Sequence, residues 1–383
     1  MAIIKRPYSG RRVAKRQAKK NAPARAGAVR RKGFAAWWGR RRLSARISLI
    51  IAALLLIFIG GTALAIRLWI SRPPEVPIVP NRPSPSGEIL PSGASPAQPS
   101  GGAEVSPQGY VKRDGVYTFI LAGANQGLTD TLMVATLDTK QGTCHVLSIP
   151  RDTAVESAPR TIKKINSAYS QQKNVDEPGI AQMKKEIATL IGFQPQYAAV
   201  VDYNGFKRLI TAIDGIDFNV PMNMRVDGEG INLQKGQQHL NADQALQLVR
   251  FRVNYIDGKY GAGYDDYGRM AMQQEVLKVA AKKALANWTK FPEYIKIAQD
   301  NLKSDIDWGN LLWFAEQIKN IGMDNVVFHS LPTYTVHNAN EISGTYYEAV
   351  RAEEALALIN ETINPFSTPI GAEIVEYIAL TEK

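Results

Sequence analysis

Five short segments hold the side chains that can do chemistry. They are Leu128-Thr129-Asp130-Thr131, Ser148-Ile149-Pro150-Arg151-Asp152-Thr153, Lys164-Ile165-Asn166, Val249-Arg250-Phe251-Arg252 and Asp266-Tyr267-Gly268-Arg269, with Gln273 a helical turn further on. Arg250 and Arg252 alternate with Val249 and Phe251, so an extended backbone there turns both guanidinium groups to one side and the apolar pair to the other. Arg269 and Gln273 are four apart and share a helix face. Guanidinium forks match phosphate oxygens two at a time. A carboxylate among them suits Mg2+, which takes one or two carboxylates, phosphate oxygens and water. Several Arg and Lys beside a few Asp is therefore the side-chain set of a metal–pyrophosphate site. Taken singly, each segment has a plainer reading. Arg-Asp after Pro makes a surface turn, and two Arg on a strand make a solvated face.

Composition removes other classes. The chain has 383 residues and a net charge of +11. Residues 1–46 hold 16 Lys or Arg and no acidic residue, and the first acidic side chain is Glu75. The rest carries 30 basic against 35 acidic groups. A basic tail on a slightly acidic body is not a globally basic nucleic-acid binder, and no nucleic-acid partner is expected. A single cysteine, Cys144, excludes an internal disulfide framework and a cysteine zinc site. Four scattered histidines make a poor metal cluster.

The elements that must position these groups read as follows. Short β-branched and aromatic runs at 117–123, 132–138, 144–149, 197–202 and 216–220 predict strands, several ending in Gly, Asp or Pro just where the polar segments begin. Residues 181–191, 204–213, 242–249 and 267–286 predict helices, Asn204 being a suitable N-cap. On the last, Val276, Leu277, Ala280, Ala281 and Ala284 lie on one face. Two further helices are expected between 292 and 320, strands at 326–330 and 334–337, and a helix at 352–363. Strands alternating with helices predict a three-layer α/β/α sandwich with a mixed central sheet, over residues 110–383.

Ahead of that body, residues 47–66 form an uncharged run of 20 residues bracketed by Arg46 and Arg67. At about 1.5 Å per residue it is about 30 Å long, enough to cross a hydrocarbon core. Trp37, Trp38 and Trp69 stand near its ends. A retained single transmembrane anchor over 47–70 is expected, in preference to a cleaved leader ending at Ala63-Leu64-Ala65. The charge bias puts the 1–46 tail in the cytoplasm, touching anionic lipid, and the body outside. Residues 71–109 include 10 Pro, 7 Ser and 5 Gly, a composition that predicts an extended linker.

Together and in this order, TDT at 129–131, SIPRDT at 148–153, KINSAY at 164–169, VDYNGF at 201–206, HLNADQALQLVRFR at 239–252 and DYGRMAMQQEVLK at 266–278 resemble the LytR-CpsA-Psr family of cell-wall glycopolymer ligases. The resemblance implies that a glycopolymer, such as a teichoic acid or capsular polysaccharide, moves from a polyprenyl-pyrophosphate carrier to a peptidoglycan sugar hydroxyl. Mg2+ assists, and polyprenyl phosphate leaves. It implies Asp130 as the metal-side carboxylate and Arg151, Arg250, Arg252 and Arg269 as the pyrophosphate grip, with Lys164 and Gln273 close by. Asp152 and Asp266 fit as orienting partners of the arginines, and the apolar part of 267–286 as a wall for the lipid tail. Some positions depart from the family. Asn125 stands where an Asp is frequent, offering Mg2+ a carbonyl without charge. Leu128 and Met272 replace arginines, and the 253–265 loop is long. These departures keep alternatives open: a polyprenyl-pyrophosphate hydrolase, or a non-catalytic or regulatory envelope protein that binds the lipid carrier.

Overall fold

The computed structural model describes residues 78–80, 110–156, 163–170, 179–339, 342 and 346–381. The expected anchor at 47–70 and the 1–46 tail lie outside the described residues. Among the described residues no helix is long and apolar enough to cross a membrane. The strands are β1 (Val79–Pro80), β2 (Val116–Asn125), β3 (Leu128–Asp138), β4 (Thr143–Ser148), β5 (Phe193–Gln194), β6 (Tyr197–Val201), β7 (Ile216–Val220), β8 (Met224–Val226), β9 (Ile231–Leu233), β10 (Gly236–Leu240), β11 (Val253–Ile256), β12 (Lys259–Gly263), β13 (Leu302–Ser304), β14 (Val326–Ser330), β15 (Thr333–His337) and β16 (Tyr346–Val350). The α-helices are α1 (Gly179–Ile191), α2 (Tyr203–Ala212), α3 (Ala242–Arg250), α4 (Asp266–Ala286), α5 (Phe291–Asn301), α6 (Trp308–Ile321) and α7 (Ala352–Thr362).

Six strands form a mixed sheet in the order β13-β6-β2-β3-β4-β14. Strand β2 runs parallel to β6 and antiparallel to β3. Strand β4 is antiparallel to β3 and parallel to β14. So β2, β4, β6 and β14 all end on one edge, at Asn125, Ser148, Val201 and Ser330. Ligands of open α/β sheets bind at that carboxyl edge.

Alternation along the strands divides the core between two faces. On one, Ile120, Leu132, Val134 and Leu147 pack with Met183, Ile187 and Leu190 of α1 and Ile359 of α7. Burying an Ile or Leu side chain of this kind contributes about 1.5–3 kcal/mol. On the other, Tyr117, Met133, Leu137 and Val146 meet Phe314 of α6, with Leu277 of α4 against them. A separate core joins β7, β9 and β10 to α2, α3, α4 and α5 through Ile210, Phe218, Leu233, Leu248 and Val276. Helix α4 therefore stands between two cores. Val276, Ala280 and Ala284 serve the second core, while Leu277 serves the sheet.

Four local expectations change. Val249-Arg250-Phe251-Arg252 is not a strand: α3 continues through Arg250, and the chain becomes extended only at Phe251 (ψ 137°). The reason is a strong helix start, where the Asn241 side chain and Gln244 close a reciprocal capping box. Asn204 is inside α2; the cap is Asp202, whose Oδ1 accepts from the Gly205 amide at 2.7 Å. The long 253–265 loop is a ribbon, β11 paired with β12. Within the stretch read as linker, Ile78 is buried in the body's core and β1 pairs with β5.

Candidate active site

Strands β2 and β3 turn through Gln126 and Gly127, both at positive φ (51° and 84°), a two-residue hairpin turn. One step further the register breaks. Gly123 pairs with Thr131 and Ala124 with Thr129, which leaves Asp130 as an extra, bulged residue. Bulges re-aim a side chain at strand ends. Here Asp130 Oδ1 accepts from Arg151 Nη1 at 3.0 Å, and Oδ2 accepts from the Tyr203 hydroxyl at 2.8 Å. Tyr203 is the first residue of α2, set immediately after β6. Its ring also lies under the Arg250 guanidinium, 5.3 Å from centroid to cation. Burial and then Asp130 raise Tyr203 above a phenol's ordinary pKa.

Arg151 follows β4 by way of Pro150. The Thr153–Val155 segment is tied to Lys163–Ile165 by backbone bonds, and Asn166 N donates to Arg151 O. This sets Lys164 beside Asp152. Asp152 holds Lys164 Nζ at 2.9 Å and Arg151 Nε at 3.4 Å. Lys164 also stands over the Tyr346 and Tyr347 rings at 5.4 and 5.3 Å.

The start of α4 supplies the rest. Asp266 Oδ1 takes Arg252 Nη2 at 2.8 Å and Arg269 Nη2 at 3.2 Å. Among the described residues, Asp266 Oδ2, Arg269 Nε and Arg151 Nε are buried without a hydrogen-bond partner. Arg250 is more peripheral, with Glu229 at 3.5 Å. Gln273 points away from this group: its amide donates to Val249 O at 3.2 Å and ties α4 to the end of α3. The next residue, Gln274, reaches the sheet edge, donating to Ser148 Oγ at 2.8 Å.

Sequence reasoning missed Tyr203 and Gln274. Tyr203 had a signal, a tyrosine directly after a strand's carboxyl end. Gln274 had none beyond its neighbour Gln273.

Arg151, Lys164, Arg250, Arg252 and Arg269 thus face Asp130, Asp152 and Asp266, so cations exceed carboxylates. Their environments differ. Burial works to lower Arg151, but Asp152, Asp266 and Asp130 outweigh it and hold the guanidinium above its ordinary pKa. Arg269 goes the other way: burial lowers it, and Arg151 and Arg252 add to that against Asp266. Arg269 shares the single oxygen Asp266 Oδ1 with Arg252, so its buried guanidinium has a divided counter-ion.

The carboxylates differ in access. Side-chain exposure is 32% for Asp130, 7% for Asp152 and 3% for Asp266. Among the described residues no three His, Cys, Asp or Glu gather to cage a metal. Of the three carboxylates Asp130 is the reachable one, and a single accessible carboxylate fits a Mg2+ held chiefly by phosphate oxygens and water, with Asn125 at the end of β2 paired to Leu128.

The sheet face covered by α4 and α6 is only partly closed. Phe119, Leu121 and Gly123 of β2 and Ala199 and Val201 of β6 are only half-buried, although both strands are internal. Their alternates Ile120, Ala122, Ala198 and Val200 are fully buried on the opposite face. Leu277, Leu311 and Trp313 of α4 and α6 face the half-buried set.

Residues 103–364 match the LytR_cpsA_psr family. The chain belongs to this family. Among LytR_cpsA_psr relatives, the polyisoprenyl-teichoic acid–peptidoglycan teichoic acid transferase TagV of Bacillus subtilis is 30% identical over 191 residues, 47% of this chain and 46% of TagV. TagU of Bacillus mycoides, of the same printed activity, is 29% identical over 201 residues, 52% of this chain and 61% of TagU. The regulatory protein MsrR of Staphylococcus aureus is 30% identical over 197 residues, 50% of this chain and 55% of MsrR. The match spans about half the length of these relatives. The crystal structure of B. subtilis TagV superposes with a TM-score of 0.53 at 24% identity, covering 65% of this chain and 97% of TagV. TagT bound to LIIa-WTA gives 0.51 at 20% identity, covering 67% and 92%. These structures share the mixed α/β fold.

Proposed function

We propose that the protein is a membrane-anchored phosphotransferase. It moves a glycopolymer, a teichoic acid or similar polysaccharide, from a polyprenyl-pyrophosphate carrier to a peptidoglycan sugar hydroxyl. The observation that carries this reading is the adjacency of two unlike surfaces: a cluster of five cations over three carboxylates, and a half-open apolar strip on the central strands. A pyrophosphate joined to a long hydrocarbon is the amphiphile that fills both. The transferase names of TagV and TagU support the same assignment.

In this reading Arg151, Arg252 and Arg269 take the pyrophosphate oxygens, held in place by Asp152 and Asp266. Arg250 adds charge from above Tyr203. The acceptor oxygen attacks the sugar-bearing phosphorus, a new P–O bond forms, and the bond to the bridging oxygen breaks. Polyprenyl phosphate leaves with the bond's electrons, stabilised by the guanidinium groups. The hydroxyl proton passes to the Asp130 carboxylate, more exposed than Asp152 or Asp266. Asp130 and Asn125 are the residues that would hold Mg2+, and the metal would supply further neutralisation of the phosphate charge. The anchor at 47–70 keeps the body on the outer face, where carrier and cell wall meet.

The experiment is transfer of a labelled polyprenyl-pyrophosphate glycan to peptidoglycan by the full-length protein across a Mg2+ series. Label joined through phosphate to a wall sugar supports the proposal. Label released only as free glycan phosphate would make the protein a hydrolase, and intact donor bound without turnover would make it a carrier-binding protein.

A further inference from the structure

A second recess lies on the sheet face of Ala124 and Val200, opposite to the half-buried strip. It is an open cleft of about 960 Å3 between α2, the α5–β13 corner and the tip of the β2–β3 hairpin. Asp202 and Asn204, the neighbours of Tyr203, line it, as do Ala124 and Gln126, the neighbours of Asn125. The cleft therefore adjoins the tip of the hairpin whose second strand carries Asp130.

Its chemistry differs from that of the arginine cluster. Lys207, Arg208 and Lys303 on its walls are matched by Asp202, Asp243 and Asp300. Lys207 pairs with Asp243 at 3.3 Å, and Asp202 caps α2. The side chains of Arg208, Lys303 and Asp300 make no hydrogen bond or ion pair among the described residues and stay available. With charges balanced, the cleft has no bias for phosphate. It offers charged donors and charged acceptors together, the set that binds a hydroxyl able both to give and to accept a hydrogen bond. Its size is within the about 300–1,000 Å3 of small-ligand sites, and its open side lets a polymer continue into solvent.

We infer that this cleft binds a sugar ring of a glycan substrate, with Arg208, Asp300 and Lys303 as hydroxyl partners. The inference rests on the transferase reading, and names where the glycan lies. The ring belongs either to the donor polymer or to the peptidoglycan acceptor; both present the same hydroxyl chemistry.

The test uses full-length protein in detergent and three probes: a glycan-free polyprenyl pyrophosphate, a polyprenyl-pyrophosphate disaccharide and a soluble uncrosslinked peptidoglycan strand. In the Arg208→Ala/Asp300→Ala variant, and separately in Lys303→Ala, the KM for one glycan substrate rises by about tenfold or more, as lost charged hydrogen bonds require. Affinity for the glycan-free lipid stays at the wild-type value. A rise for the disaccharide lipid assigns the donor ring, and a rise for the strand assigns the acceptor ring. If wild type binds the glycan-free lipid and both variants leave both KM values unchanged, the cleft is not a sugar site. If wild type fails to bind the glycan-free lipid, the transferase reading falls first and takes this inference with it.

Discussion

Asp266→Asn is the sharpest perturbation of the arginine cluster. One oxygen, Asp266 Oδ1, serves both Arg252 and Arg269. Removing one partner of a buried ion pair costs about 3–5 kcal/mol, because the other charge is left without compensation. The two arginines share that loss unequally. Arg252 is 43% exposed, and water takes over its pairing at a cost of at most about 1 kcal/mol. Arg269 is 5% exposed and carries the rest. The asparagine carbonyl still accepts one N–H, so the lower end of the range, about 3 kcal/mol, is expected. For a domain of this size that is a fall in Tm of roughly 6–12 °C. The same variant should gain more from pyrophosphate than wild type does, since its arginines lack their internal counter-ion. Full binding at a hundredfold excess over Kd returns about 2.7 kcal/mol. The assay is thermal unfolding of the full chain in detergent, with a pyrophosphate titration at constant ionic strength. A Tm within about 2 °C of wild type, or equal rescue of both proteins, would refute the assignment of Arg269 as a buried cation with a divided counter-ion.

Other outcomes follow from the same structure. Asp130→Asn should lower Mg2+-dependent transfer by about 100-fold or more while lipid binding persists, and unchanged rate and Mg2+ response would remove its assigned role. Arg250→Ala should weaken binding of the polyprenyl pyrophosphate by about tenfold with little change in Tm, Arg250 being a peripheral member paired only loosely to Glu229; a large loss of Tm with unaltered affinity would make it structural. His145 and His329 stack with ring nitrogens 3.1 Å apart, and burial lowers both below the ordinary 6.5, His145 adding to the effect on His329. The unfolded chain therefore takes up protons first as pH falls, so stability is full above about 6.5 and declines below it. A His145→Gln variant should show a flatter Tm profile between about pH 7 and pH 5, and an equally steep one would exclude the pair. Gly263→Ala should distort the β11–β12 ribbon, because a Cβ there would meet the Arg252 carbonyl and Val253 Cα; the reading fails if activity and Tm both stay at wild-type values.

Much of this was legible from residue order. Strands β2, β4, β6, β7 and β14 and helices α1, α3, α4 and α7 lie within about two residues of their expected bounds, since each is a local apolar pattern closed by a cap or a turn. Arg151, Arg252, Arg269, Asp130, Asp152 and Lys164 could be grouped because polar residues clustered where apolar runs stopped. What stayed hidden was non-local. Nothing in Val249–Arg252 alone says that a capping box eight residues earlier drives the helix to Arg250. Gln273 and Gln274 are neighbours of equal chemistry, and only the packing of α4 decides that one meets Val249 and the other Ser148. The pairing of Tyr203 with Asp130 joins residues 73 positions apart, through a strand order the local pattern does not contain.

The bulge at Asp130 makes the position of that carboxylate a matter of counting. Gly123–Thr131 and Ala124–Thr129 are both satisfied pairs, and the residue between Thr129 and Thr131 has no counterpart on β2. A chain shortened by one residue there could keep a regular hairpin, its turn and its buried face, and would present a threonine where the acid had been. Loss of that one residue would leave the strand pairing intact and take away the carboxylate that Arg151 and Tyr203 share.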